Sequence, residues 1–84
     1  MKQICDVYKS PRIDNMYLYV RHEDALSRVP EALMEKFGEA ELALSFMLTE
    51  DRRLAREDPE VVLKNLEENG YHLQLPPVGS GLHG

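Results

Sequence analysis

Two short stretches near the amino terminus crowd apolar and aromatic side chains between polar ones. Gln3–Lys9 is rich in β-branched and aromatic residues and Met16–Arg21 repeats the pattern, so each predicts a strand. Between them, Ser10-Pro11 and Asp14-Asn15 are turn formers, because proline presets φ while Asn and Asp tolerate left-handed backbone. The pair therefore predicts a hairpin. Alternation puts Met16, Leu18 and Val20 on one face and Tyr17, Tyr19 and Arg21 on the other. In the first strand Cys5 and Val7 oppose Ile4, Asp6 and Tyr8. Neither strand has a wholly polar side, which predicts a sheet covered at least in part on both faces.

The period then changes. "SRVPEALMEKFG" (Ser27–Gly38) predicts a helix: Val29, Leu33 and Phe37 recur at helical spacing, Pro30 suits the first turn and Gly38 the C′ position. Glu41–Leu48 alternates Leu42, Leu44, Phe46 and Leu48 with Ala43, Ser45 and Met47, the pattern of a central strand. Thr49 is placed to cap a short helix, "EDRRLAR". Asp58 caps a longer one with Pro59 at its first position, Val62, Leu63 and Leu66 on its apolar side and Gly70 at its end. "YHLQL" (Tyr71–Leu75) is a fourth strand, stopped by Pro76-Pro77, which cannot donate to a ladder. The predicted order is ββαβααβ, a single small α/β domain with a four-stranded, largely antiparallel sheet between helices. It spans residues 1–77. The tail 78–84, "VGSGLHG", is flexible in composition and expected to be in part foreign to the native chain.

Composition narrows the function classes. A chain of 84 residues buries only ~60–65% of its unfolded surface, so its stability will be modest. The single cysteine rules out an intrachain disulfide and fits a reducing compartment. No secretory stretch opens the chain and the longest apolar run is far short of the ~20 residues that span a bilayer, so a cytoplasmic location without a membrane partner is expected. The net charge of −5 is uneven: residues 1–28 carry five Lys/Arg and four Asp/Glu, residues 29–84 five and eleven. An acidic total argues against wholesale wrapping of nucleic acid but leaves room for a local basic face.

Six strings in register along residues 2–77 resemble the YcgL-domain family, small proteins of gammaproteobacteria. They are "YKSPR" (Tyr8–Arg12), "YLYV" (Tyr17–Val20), "RVPEAL" (Arg28–Leu33), "FG" (Phe37-Gly38), "LTEDRRLAREDPEVV" (Leu48–Val62) and "GYHLQLPP" (Gly70–Pro77). The resemblance implies an α/β/α sandwich and no established activity, cofactor or catalytic residue. Some relatives lie in the genome beside ribonuclease D, which implies a connection to RNA metabolism. Relatives often continue past the double proline with a longer, frequently acidic tail.

Candidate chemistry is sparse. Cys5 is the sole thiol and His72 lies on what is predicted to be a strand, yet a lone strand cysteine most often behaves as a small buried hydrophobe. His22-Glu23-Asp24 offers three donors in a row, but adjacent side chains seldom converge on a metal. Asp6 stands out inside an apolar strand, where structural pairing or an edge position is the favoured reading. Tyr17 and Tyr19, with Arg21 beside them, form either a stacking platform or a packed strand face, and packing is favoured. The arginines are the remaining lead. Arg52 and Arg56 share a face of the predicted short helix and repel each other unless an anion or an acid such as Glu57 or Asp58 lies between. The sequence therefore predicts a small binding or interaction module for a protein or an anionic ligand, with Lys9, Ser10, Arg12, Arg28 and Arg52 as its site. Alternatives are an RNA-metabolism accessory protein with a local basic face, and an enzyme using Asp6, Cys5 or His72. No cofactor or metal is implied, and either a monomer or a homodimer is compatible with the chain.

Overall fold

β1 (Lys2–Lys9) and β2 (Tyr17–Arg21) form the expected antiparallel hairpin in the computed structural model, which describes residues 2–77. The tail 78–84 lies outside the described residues. Cys5 stands opposite Arg21 and Lys9 opposite Tyr17, so Cys5, Val7, Tyr17 and Tyr19 share one face. The hairpin loop is tied by a side chain. Ser10 Oγ donates to the Phe37 carbonyl (2.6 Å) and accepts from the backbone N–H groups of Arg12 (3.1 Å) and Ile13 (3.0 Å).

The helix α1 (Glu31–Phe37) begins one residue later than proline at its first position would give: Pro30 is the N-cap and no side chain caps the end. Its apolar positions behave as the spacing implies, with Phe37 fully buried and Val29 nearly so. Gly38 follows at φ +90°, where only glycine is unstrained.

β3 (Glu41–Thr49) pairs antiparallel with β1, and the strand order is β3-β1-β2-β4. The expectation of a central strand is therefore corrected: β3 is an edge. Its alternation also breaks at a bulge, since Val7 faces Leu44 and Tyr8 faces Leu42, leaving Ala43 unpaired. Alternating apolar residues signal two apolar strand faces, and that pattern cannot reveal whether a neighbour lies beyond the strand. Leu42 stays 57% exposed and Leu44 47%.

The expected short helix at 50–56 does not form. Only the Arg52 N–H reaches back to the Thr49 carbonyl (3.1 Å), a single turn, and the chain then runs irregularly to Asp58. Leu54 is the one large apolar anchor in that stretch, and helices this short are unstable without a packed stripe. The observed order is ββαβαβ. α2 (Pro59–Glu68) follows, with Asp58 Oδ1 accepting from the Glu60 N–H (2.9 Å) and Val62, Leu63 and Leu66 buried. β4 (Tyr71–Gln74) closes the sheet against β2.

The helices lie on opposite faces, giving an α/β/α sandwich. Cys5, Val7, Tyr19 and Leu48 pack against Val62, Leu63 and Leu66 of α2. Leu18 and Val20 pack against Val29 and Phe37 on the α1 side. Phe37 is the largest fully buried side chain, so Phe37→Ala should cost about 3–5 kcal/mol, most of the stability of a domain this small, read as a lowered urea midpoint.

Candidate functional site

The segment after β3 leaves the sheet edge, crosses the part of the α2-side face that α2 leaves uncovered and rejoins the fold at Asp58. Leu54 packs down against the core, which holds the crossing in place. Beneath it lies a groove of about 480 Å³ floored by Val7, Tyr17, Tyr19, Leu44 and Phe46, with Arg52, Arg53 and Arg56 along its rim. Arg52 lays its guanidinium over the Phe46 ring, 4.6 Å from the centroid, a cation–π contact that orients the fork. Tyr19 is buried and donates through its hydroxyl to Gln74 Oε1 (2.8 Å) at the base of the groove. Tyr17 is partly exposed, and Lys9, opposite Tyr17 in the hairpin, is an exposed cation on the same side.

The acids interleaved with these arginines are engaged elsewhere. Asp51 accepts from the Thr49 hydroxyl (2.7 Å), and Asp58 caps α2. Glu57 is bound by His72 Nε2. The His72 ring stands edge-on to Tyr19 with centroids 5.6 Å apart, and its Nδ1 lies 2.9 Å from the Asn65 side-chain amide. A neutral ring with its proton on Nε2 satisfies both contacts: it donates to Glu57 and accepts from Asn65. Among the described residues no carboxylate pairs with Lys9, Arg52, Arg53 or Arg56. Three arginines thus line one apolar groove with no carboxylate paired to them, and Lys9 stands next to it beyond Tyr17, in a separate depression.

A family model for the YcgL domain matches residues 5–77. The chain belongs to the YcgL domain family. It is 58% identical over 78 residues to a YcgL domain-containing protein of Pseudomonas fluorescens SBW25, covering 93% of this chain and 80% of that one. A YcgL domain-containing protein of Stutzerimonas stutzeri A1501 is 60% identical over the same shares, and one of Azotobacter vinelandii DJ is 60% identical over 92% of this chain and 79% of its own. The family's function is uncharacterised, so the chemistry of this YcgL domain must be argued from its own side chains.

Of the five residues predicted from sequence, only Arg52 lines the groove of the YcgL domain; Lys9 stands beside it next to Tyr17, and the other three lie elsewhere. Ser10 is buried and spends its hydroxyl on the hairpin loop and α1. Arg12 donates from Nη1 to the Glu35 carbonyl (2.8 Å) in the last turn of α1, where a cation suits the helix dipole, and its stem lies against Gly38. Arg28 packs on Gly70, and a Cβ there would come within 2.6 Å of its Nε. Gly70 precedes the Tyr71 end of β4, whereas Ser10 and Arg12 follow the Lys9 end of β1, so these residues occupy opposite ends of the sheet. Arg53 and Arg56 were not among the five. The signal that singles them out is the Asp58-Pro59 capping pair, which commits Asp58 to a helix and removes it as their counter-ion.

Cys5, Asp6 and His72 do not come together. Cys5 is wholly buried in the α2-side core, and burial, with the adjacent Asp6 charge second, pushes its thiol up to about 12. Asp6 points to the opposite face, where it accepts from Ser45 Oγ (2.6 Å) and lies 3.0 Å from His22 Nδ1. His72 is occupied by Glu57 and Asn65 on β4. His22-Glu23-Asp24 does not converge either: among the described residues no three metal-ligating side chains gather, and no helix is long and apolar enough to cross a membrane.

Burial also lifts the Tyr19 phenol to about 12, with the Glu57 charge contributing. Both groups lose protons sooner in the unfolded chain, whose thiol titrates near 9.0 and phenol near 10.0. Their contribution to stability is therefore complete below pH 9 and is lost as the pH rises toward 12. The unfolding free energy read from urea titrations should fall by several kcal/mol over that window, and Cys5→Ala should flatten the early part of the fall. A flat profile for the wild type would contradict the assignment.

Proposed function

We propose that this YcgL domain is a non-catalytic binding module that takes an anionic ligand in the groove beneath residues 52–56. The observation that carries the reading is the separation of charges within one segment: Arg52, Arg53 and Arg56 point over an apolar, aromatic floor while Asp51, Glu57 and Asp58 are bonded elsewhere. Like charges so close repel, and a guanidinium fork pairs in plane with a carboxylate or a phosphate. An anion relieves the repulsion, and the apolar floor lets its uncharged part leave water. Lys9 adds an exposed cation next to the groove, beyond Tyr17. In this reading Ser10, Arg12 and Arg28 support the frame, and Arg53 and Arg56 join Lys9 and Arg52 as ligand contacts.

A single-stranded RNA is the second reading, favoured by the partly exposed Tyr17 beside three arginines. The net charge of −5 weighs against it, because most of the surface repels a polyphosphate chain.

Binding of tripolyphosphate, an acidic peptide and a single-stranded RNA oligonucleotide, followed by NMR titration, tests the proposal. The Arg52→Ala/Arg53→Ala/Arg56→Ala variant should lose at least ~10-fold in affinity for whichever binds, since charge-assisted hydrogen bonds contribute about 1.5–3 kcal/mol each. Arg12→Ala and Arg28→Ala should lower the urea midpoint and leave affinity unchanged. RNA held by four cations would show a log–log salt slope of about −2.8. Unchanged affinity in the triple variant would remove the groove from consideration.

A further inference from the structure

The two edges of the sheet are built differently. β4 is four residues long and is followed by Pro76 and Pro77, so it offers a short and poorly pairing edge. β3 is nine residues long, contains no lysine, arginine or proline, and carries one charge, Glu41, at its first position. Its bulge at Ala43 leaves the stretch from Leu44 to Thr49 in regular register with β1. A long, uncharged edge is the kind that proteins normally block, because its outward N–H and C=O groups template another strand. Here the edge is also apolar on the α1 side, where Met47 is 44% exposed and its cross-strand neighbour Ile4 47%. On the α2 side Leu44 forms the outer wall of the arginine-rimmed groove. Edge and groove make one surface.

We infer that β3 is a docking edge for an extended segment of a partner protein in which acidic and aliphatic side chains alternate. The inference rests on the groove reading and specifies its ligand. A strand added beside β3 completes the open hydrogen-bond ladder, and its side chains fall alternately on the two faces. Those on the α1 side meet Ile4 and Met47 and must be aliphatic. Those on the α2 side lie beside Leu44 and Phe46, under Arg52 and Arg53, and a carboxylate there supplies the missing counter-charge. A second copy of this chain fits less well. An antiparallel self-pairing about Ser45 would bring the two Phe46 rings close to the dyad and, with them, two Arg52 guanidiniums. Nucleic acid has no amide backbone to fill the ladder, and it meets a molecule of net charge −5.

The test uses the 84-residue chain and a fluorescein-labelled heptapeptide of alternating glutamate and valine. Saturable binding is expected, with slowed amide exchange at Ser45 and Met47. Met47→Lys, at an exposed position that leaves the core intact, should weaken binding at least ~10-fold by blocking the edge. Arg52→Glu with Arg53→Glu should weaken it similarly, and a heptapeptide of alternating lysine and valine should recover binding to that variant. Equal affinity for a peptide of the same composition with its glutamates clustered would overturn the alternating-strand inference. So would tighter binding of a single-stranded RNA of the same charge, or self-association that Met47→Lys abolishes. Anion binding that perturbs the groove without changing β3 exchange would overturn the docking edge and leave the groove reading standing. Loss of no anion affinity on removing the arginines would instead overturn both.

Discussion

Two short helices cannot cover both faces of four strands, and the rest of this architecture follows from that shortage. α1 has seven residues and α2 ten, which is about 10 and 15 Å of helix, against about 30 Å of β3 alone. α1 closes over Leu18 and Val20, and α2 over Cys5, Tyr19 and Leu48. The far end of the α2-side face is left to the irregular segment between Thr49 and Asp58. With one large apolar anchor, Leu54, that segment roofs the sheet without filling the space beneath it. The groove is what remains of a face that the domain lacks the helix to bury.

The same segment sorts its charges. Its acids are drawn to groups that hold them more firmly than an exposed arginine would: a helix N-terminus for Asp58, a threonine hydroxyl for Asp51, a half-buried imidazole for Glu57. Surface ion pairs contribute little, whereas a cap or a hydrogen bond out of water contributes more, so local bonding wins. The arginines are left over on the open side. Their number is small and the whole domain is acidic, which confines any attraction for anions to one patch and keeps distant anions away.

Much of the fold was legible in the chain because it is written in local rules. The hairpin, α1, α2 and the last strand follow from turn residues, caps and apolar periods that act over a few positions, and the packing face of Tyr19 follows from simple alternation. Two expectations failed where locality ends. Residues 50–56 have a capping threonine and a helix-compatible composition, yet helix formation needs a packed stripe that one leucine cannot supply. Leu42 to Leu48 alternate as a central strand would, yet whether a strand has a second neighbour is settled by the strands on the other side of β1. Arg28 and Arg12 looked like anion ligands of the first hairpin, but each instead packs on a glycine that the fold places beside it.

The sequence by itself determined a small α/β sandwich of known family, a sheet apolar on both faces, a slight excess of cations in the first 28 residues and three arginines interleaved with acids after β3. Only the tertiary structure decided which of those cations stand free. That depends on where each acid finds its nearest polar partner, and those partners, His72 for Glu57 above all, lie on elements distant in the chain. Charge pairing is a property of separations in space, which turn and cap signals do not carry.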